Sequence, residues 1–294
     1  MWGAPIARDN NPRAARPDEV DYRPAKASRR RRVVVVGTGV AGLEAAWVAA
    51  ERGHQVTVFG RSGEVGGKVR LRSLLPGGEA LSSVFDYQFA AAQRAGVKFE
   101  LGVEADIDAV LHAGAETVIL ATGSTMIAPR WLPEEAGAEG GVLDLRTAMA
   151  GLHKTRARQP GVAVIFDMDH TEGTYASAQR LREIFDQTWI VTPRHSIADD
   201  TSLVTRQGIL RRLSRDGIRI AHLSEPRWTQ RMESGALEIE MRKDRITTTH
   251  AASLATSAFA GQLFFGFPTD GNFACSFGQG AKIAVRSPCR VASS

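Results

Sequence analysis

Four consecutive valines at positions 33–36 leave no polar face, the pattern of a strand covered on both sides in a parallel sheet. The period then changes. Leu43, Ala46, Trp47 and Ala50 recur at spacings of three and four, which puts them on one face of a helix. Gly53 stands where a left-handed cap would end that helix. Residues 55–59 (QVTVF) return to the strand pattern and complete a predicted βαβ unit. The alternation continues with a helix over 81–95 stopped at Gly96 and a strand over 97–101. A short helix over 106–112 and a strand over 117–120 follow, the strand running into Ala121-Thr122-Gly123.

A second series begins near Gly161. Residues 162–166 (VAVIF) read as a buried strand. Residues 174–185 read as a helix with Ala178, Leu181, Ile184 and Phe185 inward. A strand over 189–192 follows, then a helix over 201–216 with Ile209, Leu210 and Leu213 inward. Residues 218–221 continue the sheet, and 236–241 alternate like an antiparallel strand. After Asp244 the only acidic residue is Asp270, and periodicity fades. Residues 263–267 form an apolar cluster among turn formers. The expected organisation is an extended arm over 1–31, a first domain over 32–150, a second over 151–245, and a poorly ordered or degenerate tail over 246–294.

Composition fits this picture. With 294 residues, 43% of them hydrophobic and 23% charged, the chain has room for two globular domains. No apolar run is long enough to span a bilayer, and residues 1–19 have no apolar core of a secretory signal. A cytoplasmic protein is expected. The net charge of +5 is concentrated in Arg29 to Arg32. No aromatic residues interleave with them and no nucleic-acid-binding motif follows, so they read as a solvated lead-in to the first strand. Cys275 and Cys289 match no zinc or iron–sulfur spacing and read as free thiols; no metal site is expected.

The chemistry lies where the first strand meets the first helix. Gly37, Gly39 and Gly42 have G-x-G-x-x-G spacing in the strand-to-helix context that a dinucleotide requires. The first glycine permits the tight turn, the second lets a pyrophosphate reach the backbone, and the third lets helix and strand pack closely. Val40 and Ala41 then open the helix, whose free N–H groups favour an anion. Gly66 and Gly67 allow a second close approach to phosphate, and Lys68 adds charge. At the end of the second strand, where an acid would hold the adenosine ribose, stand Gly60 and then Arg61. The corresponding turn of the second domain, 167–173, has no glycine fingerprint. Asp167, Asp169 and Glu172 put negative charge where a diphosphate would sit, so NAD(P)H binding there is not expected. Asp167, Asp169 and His170 could ligate a metal or exchange protons, but helix capping is the favoured reading. His195 has no nucleophile at a paired spacing.

GTGVAG at Gly37 to Gly42, the pair Gly66 and Gly67, and Ala121-Thr122-Gly123 occur in the order seen in flavoproteins with two Rossmann-like domains of the pyridine-nucleotide disulfide oxidoreductase type. More narrowly, AGLEAAWVAAERGHQVTVF, EVGGKVRL and LPGG followed by SSVFDYQ resemble the C-terminal half of the trimethylamine dehydrogenase and 2,4-dienoyl-CoA reductase family, over residues 11–220. The resemblance implies an α/β fold, FAD (or ADP in its place) at the first domain, and oxidoreductase chemistry of the amine dehydrogenase or enoyl reductase type. It places at the cofactor Gly37, Gly39, Val40, Ala41, Gly42, Gly66, Gly67, Lys68, Ala121, Thr122 and Gly123. Arg61, where the family's acid is missing, could meet a phosphate, but a surface arginine is the favoured reading. Family members begin with an FMN barrel and a four-cysteine iron–sulfur site, which this sequence lacks. A separate subunit or a gene fragment is therefore expected, partnered by such a barrel subunit and by an electron-transfer flavoprotein. The family's C-terminal Gly-Asp motif has no match, so the first domain is expected to be incomplete at its C-terminus. The alternative is a nucleotide-binding docking subunit without chemistry of its own.

Overall fold

The computed structural model describes residues 24–134, 142–227, 238–243, 246–251 and 262–266. The fold is α/β and is built on parallel sheets. In the first unit, β1 (Arg32–Val36), β2 (Gln55–Gly60), β3 (Lys98–Leu101) and β4 (Thr117–Leu120) form a parallel sheet in the order β3-β2-β1-β4. Val33 and Val35 of β1 lie in register with Val56 and Val58 of β2, so one face of the sheet is a continuous apolar surface. Helices α1 (Val40–Glu51) and α3 (Ser82–Arg94) cover it with Ala46, Trp47, Ala91 and Ala92. Gly53 takes φ +95° after α1. Its N–H reaches Ala50 O (2.8 Å) and that of His54 reaches Ala49 O (3.2 Å), closing the helix as expected. Arg29 to Arg32 are exposed, and Arg29 pairs with Glu116 at 3.2 Å. Between β3 and β4 runs the short helix α4 (Ile107–His112), its N-cap Asp106 accepting from the Ala109 N–H.

Five strands make the second parallel sheet, β5 (Val142–Asp144), β6 (Gln159–Asp167), β7 (Phe185–Val191), β8 (Arg219–Ala221) and β12 (Gln262–Gly266), in the order β5-β12-β6-β7-β8. Ala163, Ile165 and Ile190 on one face meet α5 (Leu145–Leu152), α6 (Glu172–Ile184) and α7 (Leu203–Arg215). Val164, Phe166 and Val191 form a second core on the opposite face, where Trp131 stands edge-on to Phe166. Strands β9 (Ser224–Arg227), β10 (Glu238–Lys243) and β11 (Ile246–Ala251) form a separate antiparallel sheet, with β10 in the middle. The antiparallel strand expected over 236–241 is β10.

Several elements differ from expectation. Phe185 is not helical: it takes φ −102°, ψ 158°, and opens β7 directly. Its N–H still bonds to Leu181 O and its ring stays in the core, so the helical spacing runs one residue past the helix. Leu210 lies about 100° round α7 from Ile209 and is 38% exposed, while Ile209 and Leu213 are buried. β5 and the start of α5 lie before residue 150 yet pair and pack with the second sheet. β11 and β12 fall within the tail, and β12 sits between β5 and β6 in parallel register with both. The rest of the tail, with Cys275 and Cys289, lies outside the described residues, as does the arm up to residue 23.

Helix α2 (Gly67–Ser73) belongs to the first unit at its start and to the second at its end. Leu71 packs against the second unit's core, and Leu75, just past the helix, is 3% exposed within it. Arg72 holds the turn between them by donating to Leu75 O (3.3 Å) and Pro76 O (3.1 Å). Leu75→Ala is expected to cost about 2–4 kcal/mol, the range for a buried leucine. Urea unfolding followed by tryptophan fluorescence measures it; a loss below about 0.5 kcal/mol would mean that Leu75 is not part of that core.

Candidate functional site

The first site is made almost entirely of backbone. β1 ends at Val36, and Gly37 turns the chain at φ +118° while its N–H is held by Phe59 O at 2.8 Å. A Cβ on Gly37 would lie 2.1 Å from Ala121 O, and one on Gly42 would lie 2.0 Å from Gly37 O and 3.3 Å from Ala121 Cβ. These two glycines are required by the fold itself: they let β1, α1 and the segment after β4 close on one another. Gly39 is different. It is the N-cap of α1 with φ −73°, and a Cβ on it would meet nothing within 4 Å. Among the described residues no atom requires that position to be glycine.

A second helix start faces the first. Gly66 takes φ +101° as N-cap of α2, donates its N–H to Thr38 O at 2.8 Å, and forms an isolated parallel bridge with Gly39. A Cβ on Gly67 would approach Gly39 Cα to 3.1 Å. Neither α1 nor α2 has a side chain capping its first N–H groups or an acid in its first turn. Bare N–H groups at the start of α1, beside those of α2, make a cradle suited to an anion with several oxygens. Val40 and Ala41 open α1, and Lys68 is exposed on the first turn of α2.

The sequence-predicted residues separate into two groups. Gly37, Gly42, Ala121 and Thr122 pack together at the base of the turn, with Thr122 N 3.2 Å from the Cβ direction of Gly37. Gly39, Gly66 and Gly67 line the cradle. Gly123 has φ +78° beyond β4, with no atom of the described residues within 4 Å of its Cβ direction. Arg61 is a separate, exposed residue after β2, 3.7 Å from Glu104. Sequence reasoning passed over Thr38, the middle residue of the G-T-G. Buried at 6% exposure, it links the two helix starts through its carbonyl.

The equivalent turn of the second unit carries its own anion. Asp169 accepts from the Thr171 N–H (3.0 Å) and from the hydroxyls of Thr171 (3.1 Å) and Thr174 (2.6 Å), so a carboxylate stands against the start of α6. Glu172 follows in the first turn and pairs with Arg212 at 3.5 Å. The N-cap is Thr171, so neither aspartate caps α6 in the strict sense expected. Asp167 instead lies fully buried at the end of β6, accepting from the His170 N–H (3.0 Å) and the Tyr175 hydroxyl (3.0 Å). Tyr175 in turn accepts from the Ala198 N–H at 2.8 Å. Burial pushes the Asp167 carboxyl up to about 7, against the pull of those two donors. Burial also raises the Tyr175 hydroxyl and lowers the His170 imidazole, the latter helped by Arg194. His170 takes φ +51°, and its Nδ1 is 3.4 Å from Asp167 Oδ2 without hydrogen-bond alignment. Among the described residues no group of three metal-ligating side chains assembles here or elsewhere. Nothing in the sequence signals the Asp167–Tyr175 bond, because Tyr175 is eight residues away and reads as a core aromatic.

The chain is 46% identical over 99 residues to a probable N-methylproline demethylase of Rhizobium meliloti (strain 1021), covering 34% of this chain and 15% of that protein. It is 31% identical over 171 residues to a multifunctional alkene reductase/demethylase of Caballeronia cordobensis, covering 58% and 24%. The alignments thus span a quarter or less of these relatives' length. Histamine dehydrogenase from Rhizobium sp. 4-9 has the same fold, with a TM-score of 0.69 and 23% identity over 83% of this chain and 37% of that one. Residues 31–165, which hold every candidate position from Gly37 to Gly123, match the family model of the pyridine nucleotide-disulphide oxidoreductases.

Proposed function

We propose that the first unit binds FAD, or ADP in its place, as the nucleotide-binding module of a flavin-dependent oxidoreductase of the amine dehydrogenase or enoyl reductase type. The observation that carries this reading is the cradle at Gly39 and Gly66, where two uncapped helix starts lie side by side and a Cβ on Gly39 would meet none of the described residues within 4 Å. Its bare N–H groups suit a diphosphate on charge. The names of the relatives support the chemistry: demethylase, N,N-dimethylglycine/sarcosine dehydrogenase, and cinnamate reductase. Redox work of this kind calls for a barrel partner carrying FMN and an iron–sulfur cluster, and for an electron-transfer flavoprotein as acceptor. Among the described residues no helix is long and apolar enough to cross a membrane, and the proposed location is the cytoplasm.

The second unit takes no nicotinamide nucleotide in this reading. Asp169 already occupies the start of α6, and a diphosphate would have to displace it while facing Glu172. Calorimetry with FAD and ADP, together with saturation-transfer NMR with NADH and NADPH, tests both halves. Binding of FAD or ADP with no specific NAD(P)H signal is expected. A yellow protein as purified separates a flavin module from a docking subunit that holds only ADP. An NAD(P)H signal that disappears on changing Asp169 would overturn the assignment of the second unit.

A further inference from the structure

At the end of β2 a side chain at position 60 would crowd Thr38. A Cβ on Gly60 would lie 2.6 Å from Thr38 Cγ2 and 2.8 Å from Thr38 Oγ1. Thr38 is buried and its carbonyl is tied to the Gly66 N–H, so its backbone is held in place. The place from which a dinucleotide fold directs an acid at the adenosine ribose is therefore filled by an uncharged neighbour. The backbone on both sides of the next residue is tied down. Val103 N–H donates to Gly60 O at 3.0 Å and Gly102 N–H to Ser62 O at 3.1 Å, which joins the segments after β2 and β3 on either side of Arg61. The Arg61 guanidinium stands 78% exposed, 3.7 Å from a Glu104 carboxylate that is itself 79% exposed. A pair so open and so long holds its arginine weakly.

We propose that the adenosine end of this site accepts a ribose carrying a 2′-phosphate, with Arg61 meeting the phosphate and Thr38 acting as the specificity-determining residue that keeps the floor free of a carboxylate. An acid at position 60 would both hold the two ribose hydroxyls and repel a phosphate placed on one of them. With glycine there, neither effect operates. Arginine offers the forked donors that suit phosphate, and Glu104 is the acid it must leave. The ligand class is adenine nucleotides phosphorylated on the ribose, competing with FAD for the same cradle. This rests on the cradle being an adenine-nucleotide site.

Calorimetry on the full chain with ADP and with 2′-phospho-ADP tests the inference, because the two probes share one diphosphate. The phosphorylated probe is expected to bind about tenfold more tightly. Arg61→Gln should remove that advantage and leave ADP affinity within about twofold. Glu104→Gln should widen it. Thr38→Gly combined with Gly60→Glu makes room for an acid and should reverse the preference; the first two variants are at the surface and keep the test independent of whether this one folds. Equal or weaker binding of 2′-phospho-ADP, with ADP bound, would overturn the inference while leaving the cradle intact. So would an Arg61→Gln variant that weakens both probes alike. Failure of both probes to bind would overturn the cradle reading and this inference with it.

Discussion

Gly39→Val is expected to lose roughly 100-fold or more of the affinity for ADP, since two or three charge-assisted bonds to bare N–H groups would be blocked. The fold should survive. The φ of Gly39 is one any residue adopts, and a Cβ there meets no protein atom. A poorer N-cap costs only about 1 kcal/mol. Gly37→Ala provides the contrast. Its positive φ and the 2.1 Å approach to Ala121 O should cost on the order of 3 kcal/mol before any ligand is added. Calorimetry and urea unfolding on the same two variants separate the roles. Unchanged ADP affinity in Gly39→Val would remove the cradle from consideration.

A large pH effect is expected from the other unit. The folded chain holds the Asp167 proton up to about pH 7, whereas the unfolded chain releases it near the ordinary 3.8. Between those values the native state binds more protons than the unfolded state. Stability from this group is therefore fully present below about pH 4, falls as pH rises to 7, and is level above. The change is on the order of 4 kcal/mol. Asp167→Asn, neutral throughout, should lack this slope and should gain on the native protein between pH 5 and pH 8. Urea unfolding of both at a series of pH values reads the difference, in which other titrating groups cancel. A constant difference across that range would mean that Asp167 stays ionised in the folded chain.

How far the sequence shows these features depends on their range. The central strands β1 and β6 are visible because burial on two faces forces apolar runs such as VVVV and VAVIF, and the cradle is visible because bare backbone demands glycine. Tertiary choices are not visible. Helical spacing cannot show that Phe185 has already turned into a strand, because its ring points to the same core in either conformation. Nor can it place β12. Gln262–Gly266 is five residues long and carries its meaning only in register with Val142–Asp144 and Gln159–Asp167, well over a hundred residues earlier for one of them. Thr38 and Gly60 look unrelated in the sequence, although each side of their contact explains the other.

Helix α2 has only seven residues, a length of about 10 Å, and its two ends belong to different cores. So short a rod has no slack. Gly66 and Gly67 cannot leave Gly39 without pulling Leu71 and Leu75 out of the neighbouring core, and melting that core frees the helix start that faces the cradle. The two units are therefore thermodynamic partners. An anion captured at Gly39 and Gly66 stabilises the distant sheet by the same amount that the sheet lends to capture, as linkage requires. In amide hydrogen exchange, ligand-induced protection would reach beyond the cradle into α5 and α6.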